Sequence, residues 1–420
     1  MQIFPKWPQV RKFFTDVHLW LGLSSGLVVV AVCFSGTIYV WNSELSEWSA
    51  PHLFKSAQPA NTVRIAPDSL FAQVEKESKA SVVSVLIPAD DHRSYQYNTR
   101  NKNEKGRGGV TYYANPYTGK VQGNSKEKTG TQKFMASMFS LHRWLFLDKI
   151  EKREVGSAIT GIATIIFTLG CITGLVIWFP KNVRMWRQGL KIKTSANWKR
   201  VNHDLHNSLA FYSLIILLMM GLTGPFFSFP WYRQGLQKTL GTYKPQEGRG
   251  GEGRGSEKKP TEGRGGEAKQ KDSSGAKKTK DSIITLMPLQ QYIAAADQAL
   301  SYRGDYTITL PADNPSTLAI SKNKKGFFAP AAADRLTLDV ATATIKKKDI
   351  FREKPFNERI SGSIKAIHVG NVYGTFSKII YFLACLIATS LPITGTLIWW
   401  NKLKKKRNRK KGLSVDISVD

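Results

Sequence analysis

The sequence predicts an all-α transmembrane four-helix bundle with two small α+β extramembrane domains, one inserted between spans 1 and 2 and one between spans 3 and 4. Three observations predict it. Apolar runs at residues 19–41, 155–179, 209–229 and 372–400 are each long enough to cross about 30 Å of hydrocarbon at about 1.5 Å per residue. Long polar segments separate the first run from the second and the third from the fourth. Five of the seven histidines stand at the ends of these runs: His18, His142, the pair His203 and His206, and His368.

In chain order, 1–41 is the N-terminus with span 1, and 42–133 is the first outward domain. Residues 134–179 form an interfacial helix and span 2, and 180–206 a basic loop. Span 3 occupies 207–229. The second outward domain covers 230–367, span 4 covers 368–400, and a basic tail covers 401–420. The net charge of +30 would suggest nucleic acid in a soluble protein. Its distribution argues otherwise, because short basic segments hold the decisive charges: Lys6, Arg11 and Lys12, then Lys181 to Arg200, then Lys402 to Lys411. The positive-inside rule puts these three segments, and with them both termini, on the cytoplasmic side of a bacterial inner membrane, with anionic lipid as a contact of the tail. The first span lacks a small-residue cleavage site and reads as a retained anchor. Cys33, Cys171 and Cys385 all fall within spans, so neither a disulfide framework nor a CxxC metal site is present.

Each outward segment pairs one helical stretch with strand-like runs. In the first, 67–80 is helical and 82–87, 95–99 and 110–114 are extended, closed by the turn Asn115-Pro116-Tyr117-Thr118-Gly119. In the second, 289–299 is helical and 306–310, 317–321, 326–329 and 336–340 are extended. The Gly-Arg-rich stretch 245–280 has almost nothing apolar to bury and reads as a disordered insertion. Outside the cytoplasm it has no RNA to meet.

The chain also repeats. His18 precedes Gly36 of Ser35-Gly36 by 18 residues, and His206 precedes Gly224 of Thr223-Gly224 by 18. Span 2 closes on Thr173-Gly174-Leu175-Val176-Ile177-Trp178, and span 4 on Thr394-Gly395-Thr396-Leu397-Ile398-Trp399. Small Ser/Thr-Gly steps permit close helix approach, or room for a flat cofactor. With this topology His18, His203 and His206 lie at the inner face, and His142 and His368 at the outer one. An iron porphyrin takes one imidazole on each side, so the pattern fits two b-type haems: His18 with His206 inside, His142 with His368 outside. His203 and His206 share one helix face and cannot ligate one iron from opposite sides. Hydrogen-bonded interfacial histidines are the competing explanation. His142 needs a turn at 148–154, because a helix running straight into span 2 lifts it about 20 Å above the bilayer core. Arg143, Trp144, Trp231, Tyr232, Arg233 and Tyr373 cluster near the outer face, either as interfacial anchors or as a basic aromatic rim for an anionic ligand.

Leu141-His142-Arg143-Trp144-Leu145, Leu205-His206-Asn207 and Ile367-His368-Val369-Gly370, with Gly374, the Thr-Gly…Trp span endings and the Asn-Pro-Tyr-Thr-Gly turn, resemble the PepSY-associated transmembrane helix family over nearly the whole chain. The resemblance implies PepSY-like outward domains and an iron-regulated inner-membrane protein, in some members a haem-containing reductase of ferric siderophores. No Gly-rich dinucleotide motif on a βαβ unit is present, so an electron donor is a separate flavoprotein, ferredoxin or quinol. Two other roles remain at this point: a PepSY-type binding module whose spans only anchor it, and an accessory or sensor subunit of an iron-uptake system.

Overall fold

The computed structural model describes residues 7–59, 62–101, 109–179, 186–245, 286–311 and 316–416; the stretch expected to be disordered lies outside these apart from Pro245. The principal helices are α1 (Trp7–Tyr39), α2 (Phe71–Ser78), α3 (Gly130–Trp144), α4 (Arg153–Trp178), α5 (Trp198–Thr223), α6 (Leu289–Ala299), α7 (Phe356–Val369) and α8 (Gly374–Asp416). The strands are β1 (Ser81–Ile87), β2 (Tyr95–Arg100), β3 (Val110–Ala114), β4 (Val121–Asn124), β5 (Gly304–Thr309), β6 (Thr317–Lys324), β7 (Ala333–Asp339) and β8 (Ile345–Asp349).

Helices α1, α4, α5 and α8 are long and apolar enough to cross a membrane, and α1 packs on α4 and α8 while α8 packs on α5. Much of their outer surface is apolar and exposed, with Leu27, Ile162, Ile215 and Leu386 among the bare side chains, as a lipid-facing surface requires. Span 3 belongs to a helix that begins at Trp198, upstream of the expected start at residue 207, so His203 and His206 lie inside it. Asn197 caps that helix by accepting from the Arg200 backbone N–H.

The two segments between the spans do not build separate sheets. They meet edge to edge in one eight-stranded sheet of order β4-β3-β2-β1-β5-β6-β7-β8. At the seam β1 runs antiparallel to β5, with Val85 opposite Ile308 and Leu86 opposite Thr307. Both helices α2 and α6 feed a single apolar core, where Val74, Val85, Tyr97, Tyr292, Ile308 and Leu336 are almost fully buried. The central strands alternate buried and partly exposed residues at period two, as a one-sided sheet demands. The run 326–329 is a turn rather than a strand: Phe328 packs against Phe376 in the first turn of α8 with ring centroids 4.8 Å apart. Strands β4 and β8 occupy the two sheet edges and carry few apolar residues.

Two short helices lead from the sheet into the bundle, and each ends in a left-handed turn. Helix α3 stops at Trp144, after which Leu145, Phe146 and Glu151 adopt positive φ and redirect the chain into α4. A Thr129–Gln132 capping box fixes its other end. Helix α7 stops at Val369, with Gly370 at φ 76°, before α8 begins at Gly374. His368 therefore sits on the last turn of α7 and not on the spanning helix, just as His142 sits on the last turn of α3. The Lys378 ammonium near the start of α8 reaches Glu44 at 2.6 Å and ties α8 to the chain following α1.

Candidate cofactor site

Four histidines converge as two facing pairs. The ring centroids of His18 on α1 and His206 on α5 are 6.4 Å apart, and those of His142 and His368 are 6.2 Å apart. An imidazole nitrogen binds a first-row metal at about 2 Å, so two such bonds plus the ring radii separate centroids by about 6.3 Å. Both gaps match a single metal between two rings. Along α1, the 14 residues from His18 to Val32, which contacts His142, amount to about 21 Å of helix between the layers.

The same local device holds each ring. His18 Nδ1 lies 3.0 Å from the Gly170 carbonyl and 3.1 Å from Thr173 Oγ1. His206 Nδ1 lies 2.9 Å from Thr394 Oγ1, and His368 Nδ1 lies 3.1 Å from Thr223 Oγ1. His142 Nδ1 meets the Val32 carbonyl at 2.8 Å, three residues before Ser35. Each of these hydroxyls donates its own proton to a carbonyl one turn back: Thr173 to Gly170, Thr223 to Met219, Thr394 to Ser390, and Ser35 to Ala31. A carbonyl can only accept, which makes Nδ1 the donor in His18 and His142; at His206 and His368 a hydroxyl that donates along its own helix is free to accept from Nδ1. With the proton on Nδ1, Nε2 keeps its lone pair, the form a metal ligand needs.

A glycine follows each hydroxyl, and its missing side chain is the seat of the ring. A Cβ added at Gly174 would lie 3.2 Å from His18 Cε1, at Gly395 3.2 Å from His206 Cε1, at Gly36 3.1 Å from His142 Cε1, and at Gly224 3.5 Å from His368 Cε1. The 18-residue spacing thus has a different meaning from matched depth alone. Each of α1 and α5 carries a histidine of one layer and, 18 residues on, the glycine seat for a histidine of the other.

A cavity of about 410 Å³ lies at the sheet-side pair, bordered by His142, His368, Gly36, Gly224, Phe167 and Phe227. That volume is in the range of ligand cavities, about 300–1,000 Å³. Between the layers, Leu217, Ala384 and Ala388 pack with Cys33, Phe167, Cys171 and Met220 and keep the middle of the bundle apolar. Among the described residues no group of three or more His, Cys, Asp or Glu side chains could hold a bare metal ion. Two imidazoles suffice only where a macrocycle supplies the remaining donors, and the residues present fit a haem on those terms.

His203 does not join the pair. It is half-exposed on α5, with Nδ1 3.6 Å from Asp204 and within hydrogen-bond distance of Asn207. Of the six expected rim residues, Arg143 borders the cavity, and its guanidinium donates to the Phe227 carbonyl at 3.0 Å. Burial and the neighbouring Arg233 charge push the Arg143 guanidinium below its ordinary value. Arg233 donates to the Phe226 carbonyl, and neither arginine has a carboxylate partner among the described residues. Trp144 is flanked by the Arg143 and Arg153 guanidinium groups, and Tyr232 donates to the Leu222 carbonyl, contacts that suit anchoring. Trp231 and Tyr373 are exposed away from the cavity. Lys365, one turn before His368, borders the cavity and carries no signal in the sequence beyond that spacing.

No curated protein matches the chain. The family model described as the PepSY-associated TM region matches residues 15–402, a stretch that takes in the four spans, the sheet and both histidine pairs. The chain is a membrane protein belonging to the PepSY-associated transmembrane family.

Proposed function

We propose that this chain is an inner-membrane di-haem b protein that passes electrons outward and reduces Fe(III) chelates such as ferric siderophores. The observation that carries the proposal is the pair of imidazole pairs, 6.4 and 6.2 Å between centroids, each ring held through Nδ1 so that Nε2 is left for a metal. Haem b bound there supplies one-electron Fe(III)/Fe(II) chemistry. The chain's own part would be to supply two imidazole nitrogens at each layer, to keep the middle of the bundle apolar, and to hold the two pairs about 21 Å apart along the helix axis. His18 and His206 lie toward the end of the bundle where α1 begins, where a separate flavoprotein, ferredoxin or quinol would give up the electron. His142 and His368 face the sheet, where the chelate accepts it. Reduction weakens the match between iron and hard oxygen donors and so releases the metal.

Purified from haem-replete cells in mild detergent, the full chain is expected to show sharp reduced bands of six-coordinate haem b, at about two haems per chain by pyridine haemochrome. A well-folded preparation without haem overturns the proposal and leaves the anchored binding module. The exposed cationic rim gives a second expectation. Arg233→Gln is expected to raise KM for an anionic ferric chelate several-fold with kcat little changed, because the charge steers and orients without touching the cofactor. Unchanged kinetics would mean that Arg233 only anchors the helix to which it belongs.

A further inference from the structure

The four histidine seats are alike except in one respect. Thr173, Thr223 and Thr394 each present Oγ1 to an imidazole Nδ1 at 3.1, 3.1 and 2.9 Å. Ser35, at the equivalent place before Gly36, does not reach its histidine: its hydroxyl bonds the Ala31 and Val32 carbonyls, and His142 Nδ1 goes to the Val32 carbonyl instead. The three threonine hydroxyls are held in place on both sides, by donating along their own helix and by accepting from the neighbouring one. A hydroxyl that accepts from Nδ1–H makes the imidazole more electron-donating at Nε2, which favours Fe(III) over Fe(II) and lowers the potential.

We infer that Thr173, Thr223 and Thr394 are positioning residues that set the donor strength of His18, His368 and His206, and that Ser35 has no such role toward His142. The inference rests on the haem reading above and names the residues through which the protein sets the potential of each layer. A threonine can hold a ring by its shape as well as by its hydroxyl, so packing and hydrogen bonding must be separated by experiment.

The test is a redox titration of the full chain, followed by its visible spectrum and low-temperature electron paramagnetic resonance. Thr223→Val keeps the shape and removes the acceptor. One of the two midpoints is expected to rise and its low-spin signal to shift, while the other centre is unchanged. Thr223→Ser restores the hydroxyl without the methyl and is expected to return the midpoint to the wild-type value. Ser35→Ala is expected to move neither midpoint. The inference is overturned if Thr223→Val keeps both centres with both midpoints unchanged, if Thr223→Ser shifts as far as Thr223→Val, or if Ser35→Ala shifts a midpoint as much. Should Thr223→Val lose its cofactor, haem retention at the wild-type midpoint in Thr223→Ser supports the hydroxyl role, and equal loss in Thr223→Ser overturns it. A wild-type chain without haem, by contrast, overturns the proposed function itself.

Discussion

Replacing His368 with alanine is expected to remove half of the six-coordinate haem signal and to bring ferric-chelate reduction by the full chain down to background. His368 faces His142 at 6.2 Å and no other histidine stands near enough to replace it. Alanine leaves one axial nitrogen on that layer, so the centre is either lost or becomes five-coordinate. The other layer, about 21 Å away along α1, keeps its own pair and its signal. On the proposed function chelate reduction is nevertheless expected to fail, because a relay with one of its two steps missing would not span the membrane. His206→Ala is expected to remove the other half of the signal. His203→Ala is the matching control: half-exposed and bonded to its own helix, it is expected to leave both centres and the rate unchanged. Quantitative haemochrome and reduced-minus-oxidised spectra check all three. Full six-coordinate signal in His368→Ala would remove the sheet-side pair from the mechanism.

Gly156→Val is expected to disable the same layer from a distance, with the His18–His206 centre intact. A Cβ at Gly156 would lie 2.3 Å from the Trp144 carbonyl oxygen and 2.8 Å from its Cα. Those are backbone atoms, which cannot swing aside as a side-chain tip does, so α3 must move away from α4. His142 stands two residues before Trp144 on α3, and Arg143 bonds Thr160 of α4 through its carbonyl at 3.1 Å. The shift therefore carries His142 away from His368. The effect expected is loss of one six-coordinate signal and a fall in thermal midpoint of several degrees, from overpacking worth about 1–3 kcal/mol or more. Gly130→Ala, where the added Cβ meets nothing within 4 Å, is expected to change neither.

Much of this arrangement was legible in the sequence because hydropathy and spacing are local properties. The four spans follow from length and composition alone, and the two layers of histidines follow from where the spans begin. The family resemblance holds over residues 15–402. What failed was long-range. Nothing in the alternation of β1 or β5 says that these two strands, from different segments, pair with one another. Edge strands β4 and β8 were missed because Val121 to Asn124 and Ile345 to Asp349 bury little and so show no apolar alternation. The run at 326–329 looked like a strand because Phe327 and Phe328 are apolar, yet they are exposed in a turn beside Phe376. The Ser/Thr-Gly steps were visible as places of close approach. Their pairing with Nδ1 of a histidine on another helix required the bundle.

The seam between β1 and β5 also constrains how the protein is made. Strand β1 is complete at Ile87, whereas its partner ends at Thr309. At a synthesis rate of about 5–20 residues per second, β1 waits on the order of 10–45 s for β5 to emerge. During that interval spans 2 and 3 must enter the bilayer, and β1 presents an unpaired edge with Val85 and Ile87 beside it. An open apolar edge of this kind pairs with whatever strand arrives first. Slow translation through the second half, or a nascent chain stalled before residue 304, therefore exposes this protein to intermolecular strand pairing, and a holdase that masks β1 would have the most to contribute in that window.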